Sequence, residues 1–324
     1  MNQHNPDVSG PLTMTDLPRI PRRAFLNYSA RLAALWGLGA SAAPALAEAL
    51  TQLAQGAARV LWLQGQSCSG CSVALLNSQP MTPAQLLTRC FSLAFHQTLS
   101  SATGQQAVGA VKQVIAEGGY FLAVEGSVPL GMPEACIFGE EPFAPQLARA
   151  ARNAKAILAV GTCAAFGGIP AAPGNPTGAV SLPAFLAKEG IATPLIALPG
   201  CPTHPDWIVG TLAHVLKYGL PELDEHHQPR AFYARLVHDQ CPRFADYERE
   251  RFAKAFGEEG CLFKLGCAGP ITHADCPTRL WNSGTNFCIN AGAPCVGCAS
   301  KEFAARVDYS FYLKNASRQM KKHP

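Results

Sequence analysis

From residue 59 onward, short apolar runs alternate with longer stretches whose apolar residues recur every three or four positions. The short runs have the length of β-strands, and the longer stretches have the period of amphipathic helices. Strands that alternate with helices form a parallel sheet with right-handed crossovers. The predicted strands are Arg59–Gln64, Tyr120–Glu125, Lys155–Val160 and Thr193–Leu198, and the predicted helices are Ala107–Ala116, Pro142–Ala154, Leu182–Lys188 and a last helix that begins at Pro205.

The alternation ends near residue 220, and a segment rich in glycine, proline and cysteine follows. Seven of the thirteen cysteines in this 324-residue chain lie between His238 and Cys298. The segment has too little apolar periodicity to build an ordinary core, so disulfides, zinc or iron–sulfur clusters must hold it together. We therefore predict two domains, a parallel-sheet α/β domain at 48–220 and a small irregular domain at 221–324.

The first 47 residues have the pattern of an export signal. The pair Arg22-Arg23 precedes Phe-Leu, an apolar run follows at 32–43, and Ala45-Leu46-Ala47 supplies a small-residue cleavage site. This order predicts a twin-arginine leader at 1–47, with residues 1–20 disordered, and a periplasmic protein that is exported folded. The alternative is a retained amphipathic helix. No later run approaches the roughly 20 apolar residues that span a bilayer, so we expect no anchor at the C-terminus.

Composition and charge narrow the class of partner. Hydrophobic residues make up 48% of the chain and charged residues 15%, which is typical of a globular protein with a sizeable interior. The formal net charge is only +4, and no basic stripe with interleaved aromatic residues is present, so nucleic acid is not expected as a partner. The low charged fraction indicates that a protein partner covers part of the surface.

Four cysteines follow three of the predicted strands at their carboxyl ends, where an open α/β sheet binds its ligands. An odd total of thirteen and the C-x2-C spacings argue against complete pairing into disulfides. Four thiolates at one sheet edge indicate a [4Fe–4S] cluster, with a structural zinc site as the alternative. The four residues are Cys68, Cys71, Cys163 and Cys201.

Taken together, the motifs of both halves resemble those of the small subunit of nickel–iron hydrogenases. The resemblance covers residues 59–305 and the leader, and it rests on the motifs Gly65–Cys71, Glu125–Ser127, Gly161–Cys163, Pro199–Pro202 and the block 260–298. It implies a flavodoxin-like N-terminal domain followed by a small iron–sulfur domain. It also implies that the cluster on Cys68, Cys71, Cys163 and Cys201 is the proximal [4Fe–4S] cluster.

The resemblance implies a distal [4Fe–4S] cluster in the second domain, with one histidine among its ligands. An imidazole in place of a thiolate removes negative charge and raises the reduction potential, which suits the site where electrons leave. The ligands implied are His238, Cys241, Cys261 and Cys267.

A medial cluster is implied on Cys276, Cys295 and Cys298. In most of the family this is a [3Fe–4S] cluster, with proline where a fourth ligand would be. Here Cys288 stands in that neighbourhood. We therefore predict a medial [4Fe–4S] cluster with Cys288 as the fourth ligand. The alternative is a [3Fe–4S] cluster, with Cys288 a buried residue that behaves as a small hydrophobe.

The two remaining cysteines are expected to be structural. Cys90 lies in an apolar stretch, 86–99, that we predict to be helical and part of the core. Cys136 lies near the position where oxygen-tolerant relatives carry an extra proximal cysteine, but Ser69 and Gly70 occupy the place of its companion, which argues against a six-cysteine cluster. Two further residues, Glu125 and Thr162, are candidates for contacts around the proximal cluster.

The resemblance implies a function in electron transfer. Nothing in this chain supplies a nickel–iron centre, so H2 is split on a separate large subunit, and electrons pass here from proximal to medial to distal cluster and on to an acceptor such as a cytochrome. One alternative is a hydrogen sensor. The predicted leader disfavours it, because a sensor that signals to a cytoplasmic kinase is not exported. Another is a subunit of a quinone-reducing complex, which the C-terminal cysteine block disfavours.

Overall fold

A parallel sheet of five strands organises the first domain in the computed structural model, which describes residues 22–54, 59–78 and 92–306. All neighbouring strands pair in parallel, and their order is 2-1-3-4-5, the flavodoxin-like order. The predicted parallel α/β fold is therefore confirmed. The strands, numbered along the chain, are β1 (Arg59–Gln64), β2 (Ser92–His96), β3 (Tyr120–Glu125), β4 (Ala156–Val160) and β5 (Leu195–Leu198).

Helices fill the connections between these strands, as the apolar periodicity predicts. Two short antiparallel pairs, Val128–Pro129 with Ala179–Val180 and Ile137–Phe138 with Glu141–Pro142, lie outside the sheet. The helices are α1 (Arg22–Leu35), α2 (Ala43–Ala54), α3 (Gly70–Leu76), α4 (Gly104–Glu117), α5 (Phe143–Asn153), α6 (Thr162–Phe166), α7 (Leu182–Lys188), α8 (Pro205–Tyr218), α9 (Arg230–Tyr233), α10 (Phe244–Glu248) and α11 (Cys276–Arg279).

The predicted helix around residues 86–99 is wrong where the structure describes it. Residues Ser92–His96 form β2, the edge strand that pairs with β1. Periodicity alone does not separate a short apolar run in a helix from one in a strand, and here the open edge of β1 decides. Cys90 and the first 20 residues lie outside the described ranges.

The sheet separates two apolar cores, because successive side chains of a strand point to opposite faces. From β1, Val60 and Trp62 enter one core, whereas Leu61 and Leu63 enter the other. The first core is covered by α2 and α8 and continues into the second domain, where it includes Phe287. The two domains thus share one apolar interior, which fixes their relative position.

The N-terminal helices α1 and α2 pack on α8. Leu32 of α1 and Leu46 of α2 are fully buried, and a Cβ added at Gly210 of α8 would lie 3.1 Å from Leu32 Cδ2. Trp36 lies 4.1 Å from His214 between ring centroids. The predicted leader boundary after Ala47 therefore falls inside α2, and removal of residues 1–47 stays a prediction.

The second domain consists of short helices, 3-10 turns and isolated β-bridges over its described range, 221–306. A buried ion-pair network ties it to the first domain: Arg279 of α11 contacts Asp275 at 2.5 Å and Asp206 of α8 at 3.1 Å. Across the described parts of the chain, no helix has the length and apolar character needed to cross a membrane.

Candidate iron–sulfur sites

The proximal site lies at the carboxyl edge of the sheet. Cys68 and Cys71 lie where β1 passes into α3, Cys163 is in α6 directly after β4, and Cys201 follows β5. The pKa of Cys163 and of Cys201 is raised to about 11, mainly by burial and in part by the neighbouring Cys68 thiolate. Four cysteines separated by up to 133 positions thus lie close enough for their thiols to affect one another's pKa, as the strand topology predicts.

Glycines line the sulfur atoms of this site, where a side chain would collide with them. An added Cβ would lie 2.6 Å from Cys71 Sγ at Gly161 and 2.8 Å from Cys163 Sγ at Gly168. Both glycines also have positive φ angles, of 89° and 53°. The backbone therefore approaches the sulfurs closely on these sides and keeps the thiols free to face a shared ligand.

Glu125, at the end of β3, is buried beside the proximal site. Its Oε1 accepts hydrogen bonds from the backbone N–H of Cys71 at 3.0 Å and of Ser72 at 3.4 Å. Its Oε2 accepts from Trp62 Nε1 at 3.2 Å, Gln64 Nε2 at 3.1 Å and the Ser72 hydroxyl. All five donors from the described residues are neutral, so within this part of the chain the carboxylate is hydrogen-bonded without a cation. Its negative charge adds to the effect of burial in raising the pKa of Cys71 well above its usual value.

The distal candidate residues line one small cavity. Burial raises the pKa of Cys241 and of Cys261, and in both cases the neighbouring Cys267 thiolate raises it further. The His238 ring packs edge-on against Tyr247, with the centroids 4.6 Å apart. The structure brings together all four residues that the resemblance implies: His238, Cys241, Cys261 and Cys267.

The medial candidate residues line a cavity of about 370 Å³ between the two domains. Burial raises the pKa of Cys298 to about 11 and that of Cys295 to about 12. Cys288 is exposed, which does not fit the alternative of a buried small hydrophobe, and its role as a ligand stays a prediction. The cavity is lined by all four of the predicted residues, Cys276, Cys288, Cys295 and Cys298.

The donor sets fit iron–sulfur clusters. Every cysteine in the described ranges is free rather than disulfide-bonded, and twelve are found there. Within the same ranges, no group of three or more His, Cys, Asp or Glu side chains is close enough to hold a single metal ion. A cluster binds its ligand thiolates through several iron atoms, so the thiols need not converge on one point.

Sequence reasoning missed several polar groups around the sites. The proximal network includes Ser72 and His96, and His96 was overlooked because its strand was predicted as a helix. At the medial site, Trp281 lines the cavity beside Cys276, and the Cys295 thiol donates to the Thr272 hydroxyl oxygen at 3.9 Å. Thr162, which the sequence did mark as a candidate, donates its hydroxyl to the backbone carbonyl of Cys298.

Cys136 belongs to none of the three sites. It is partly buried and packs against the second apolar core, and this burial raises its pKa to about 11. A thiol held protonated among apolar side chains is inert, which agrees with the structural role expected from the sequence.

A flavodoxin-like sheet with one cysteine site at its edge, joined to an irregular domain with two more, defines a two-domain electron-transfer protein of the iron–sulfur class. Residues 233–311 match the C-terminal family of the NiFe/NiFeSe hydrogenase small subunit, and residues 68–215 match the NADH ubiquinone oxidoreductase 20 kDa subunit family. The chain belongs to the small-subunit family of nickel–iron hydrogenases, as its motifs predict.

Curated relatives and solved structures agree on the family. The periplasmic [NiFeSe] hydrogenase small subunit of Desulfomicrobium baculatum is 40% identical over 88% of this chain and 96% of its own length. The Hydrogenase-2 small chain of Escherichia coli K12 is 38% identical over 90% of this chain and 79% of its own. A crystal structure of the D. baculatum enzyme in a reduced, active form matches with a TM-score of 0.74 at 40% identity, covering 79% of this chain and 98% of that one.

These comparisons bear on the alternatives. The relatives carry the names of periplasmic and uptake hydrogenases, which gives no support to the hydrogen sensor. The match to the quinone-reductase family is confined to the first domain, and the second domain matches the hydrogenase family. The C-terminal cysteine block thus separates the two families, as expected.

Proposed function

We propose that this chain carries electrons from H2, oxidised on a nickel–iron large subunit, through a proximal, a medial and a distal cluster to an acceptor. When bound, the clusters supply reversible one-electron oxidation and reduction. The ligands would be Cys68, Cys71, Cys163 and Cys201 for the proximal cluster, Cys276, Cys288, Cys295 and Cys298 for the medial one, and His238, Cys241, Cys261 and Cys267 for the distal one.

The observation that carries this proposal is the adjacency of the three sites. Cys201, a proximal residue, lines the medial cavity together with Cys298, a medial residue. On the other side, the backbone N–H of Ala268, next to the distal residue Cys267, donates to the carbonyl of Cys295 at 2.7 Å. The medial site is therefore in direct contact with both others, which is the arrangement of a linear relay.

Side chains and amides of this chain would tune the three potentials. Hydrogen bonds to ligand sulfurs favour the reduced cluster. Backbone N–H groups donate to Cys71 Sγ from Thr203 at 3.5 Å and to Cys241 Sγ from Arg243 at 3.4 Å.

The exposed rim of the proximal site fits a large-subunit interface. Cys68 is exposed, and nearby Val73 leaves 66% of its surface open to solvent. A cavity of about 690 Å³ adjoins them, lined by residues of both domains, among them Gly70 and Trp281. An apolar rim beside a redox site suits a tight protein partner that excludes water.

The test is to purify the chain with its partners and to measure metals and spectra. We expect a nickel-containing subunit in equimolar amount, H2-dependent reduction of the iron–sulfur absorbance, and no such reduction when the nickel subunit is absent. Recovery of the chain without a nickel subunit would overturn the proposed function.

A second test addresses the medial cluster. Cys288→Pro should remove one iron and produce a [3Fe–4S]⁺ EPR signal. The same signal in the intact wild type would contradict a ligand role for Cys288.

Export is proposed on the leader pattern. Residues 1–47 would direct twin-arginine transport to the periplasm, leaving domains at 48–220 and 221–324. Cleavage after Ala47 would require α2 to open locally, since Leu46 is buried against the first core. Replacement of Arg22 and Arg23 by Lys should retain the protein in the cytoplasm. N-terminal sequencing of the periplasmic protein then decides between Glu48 as the first residue and a retained α1–α2 hairpin.

A further inference from the structure

A buried histidine that is not among the proposed cluster ligands is hydrogen-bonded to Ser72, the residue that follows the proximal cysteine Cys71. His96, at the end of β2, has no exposed surface, and its ring stacks on Trp62 with the centroids 5.1 Å apart. It is a polar side chain in an apolar core, so its hydrogen bonds must be made within the protein. These hydrogen bonds connect His96 through Ser72 to the carboxylate of Glu125, which accepts a hydrogen bond from the Cys71 backbone N–H.

The hydrogen bonds of His96 fix its tautomer. The backbone N–H of Thr98 donates to Nδ1 at 3.0 Å, so Nδ1 is the acceptor and the proton of the neutral ring is on Nε2. Nε2 lies 3.0 Å from the Ser72 hydroxyl oxygen and donates to it. Burial keeps the ring neutral by lowering the pKa of His96 to about 4, although the negative charge of Glu125 opposes this shift.

Ser72 connects His96 to Glu125 through its hydroxyl group. Its oxygen accepts from His96 Nε2 and from Gln64 Nε2, the latter at 3.0 Å, and both lone pairs are then occupied. The hydroxyl proton has one remaining direction, toward Glu125 Oε2, and the contact is made. The direction of every hydrogen bond from Thr98 to Glu125 is thereby determined.

We propose that His96 is a positioning residue for the proximal cluster: through Ser72 it holds the Glu125 carboxylate against the Cys71 amide, and so sets how strongly this buried negative charge acts on the cluster. The inference rests on the proposed ligand set at the sheet edge. A negative charge near a cluster disfavours the added electron and lowers the reduction potential. Among the described residues no cation donates to Glu125, so none of them cancels its charge.

The test uses the purified heterodimer and a redox titration of the proximal cluster followed by EPR. His96→Phe keeps a ring for stacking on Trp62 but removes both nitrogens, and Ser72→Ala removes the hydroxyl. Both should move the proximal midpoint potential upward, since Glu125 is then free to turn away from Cys71. Glu125→Gln should move it further in the same direction. The medial and distal potentials should stay at their wild-type values.

Two controls separate positioning from a structural role. Phe95→Leu alters the neighbouring residue of β2, whose side chain lies in the opposite core, and should leave the proximal potential unchanged. His96→Gln places an amide donor near the position of Nε2 and should restore the wild-type potential. In the Glu125→Gln background, His96→Phe should cause no further shift.

The proposal is wrong if His96→Phe and Ser72→Ala, with the proximal EPR signal intact, give the same potential as Phe95→Leu. It is also wrong if the shift persists in the Glu125→Gln background. Absence of a proximal EPR signal from the wild-type heterodimer would instead contradict the proposed ligand set, so the two failures are distinguishable. If the His96→Phe heterodimer does not assemble, the proximal potential of Ser72→Ala alone tests the proposal.

Discussion

The two domains hold their cysteines by different physical means. In the first, the proximal cysteines follow strands of the parallel sheet, and main-chain hydrogen bonds between these strands determine where each cysteine-bearing loop begins. In the second, the medial and distal residues lie on loops and short helices without a sheet. The first site is thus a product of regular secondary structure, whereas the other two depend on contacts between loops and on the clusters they would bind. We therefore expect the folding of the second domain to depend on its iron more than that of the first.

The largest expected effect is that of iron removal. Without clusters, backbone amides between 238 and 298 should lose hydrogen-exchange protection by about 10,000-fold, equivalent to about 5.5 kcal/mol, because metal binding and folding are coupled in such segments. Amides of β1, β3 and β4 should keep most of theirs, since their sheet is buried on both faces. Exchange measured by mass spectrometry before and after anaerobic chelation checks this. Equal loss in both domains would remove the distinction between them.

The next effect concerns the ion-pair network between the domains. Arg279 leaves only 3% of its side chain exposed, and Arg279→Met would leave the buried carboxylate of Asp275 and the half-buried one of Asp206 without their cation. Breaking one partner of a buried pair costs about 3–5 kcal/mol. The matched control is Arg230→Met, whose pair with Glu222 is open to solvent and should cost less than about 1 kcal/mol. Denaturant titration of both variants compares them, and equal costs would contradict the network's role.

A smaller effect is specific to the first domain and depends on pH. The pKa of His96 is lowered to about 4 by burial, against an unfolded value of about 6.5. The unfolded state therefore binds the proton first as pH falls, so this stabilisation is complete above pH 6.5 and is lost between pH 6.5 and about 4. Its full size is about 3 kcal/mol. His96→Gln should flatten the hydrogen-exchange stability of β1 and β2 across this range, and an unchanged slope would show that His96 is not the titrating group.

The smallest expected effect sharpens the contact between the proximal and medial sites. The Thr162 hydroxyl accepts the Gly200 N–H at 2.9 Å and donates to the Cys298 carbonyl. Thr162→Val leaves both partners unsatisfied, which should cost about 1–3 kcal/mol and increase exchange near Cys298. Thr285→Val, in an exposed loop where the hydroxyl bonds to Asn282, serves as the control and should cost less. A cost no greater than that of the control would mean that this contact does not join the two sites.

The sequence determined the fold class because period and strand length are local properties. Strands β1 and β3 begin and end where the apolar runs predict, and α7 spans the predicted residues. The family was also readable, since cysteine spacing within a loop is fixed by covalent geometry. Gathering of Cys68, Cys71, Cys163 and Cys201 followed from topology, because the carboxyl ends of parallel strands share one edge.

Only the tertiary structure decided what surrounds those cysteines. Strand β2 was mistaken for a helix because its five residues carry no period of their own and are held by the edge of β1. His96 meets Ser72 and Glu125 across 24 and 29 positions of chain, so their network has no local signal. The packing of α1 and α2 on α8 likewise depends on Gly210, whose meaning appears only when Leu32 lies against it. Periodicity and spacing are set along the chain, whereas the charges and hydrogen bonds that tune a redox site are set by residues brought together in folding.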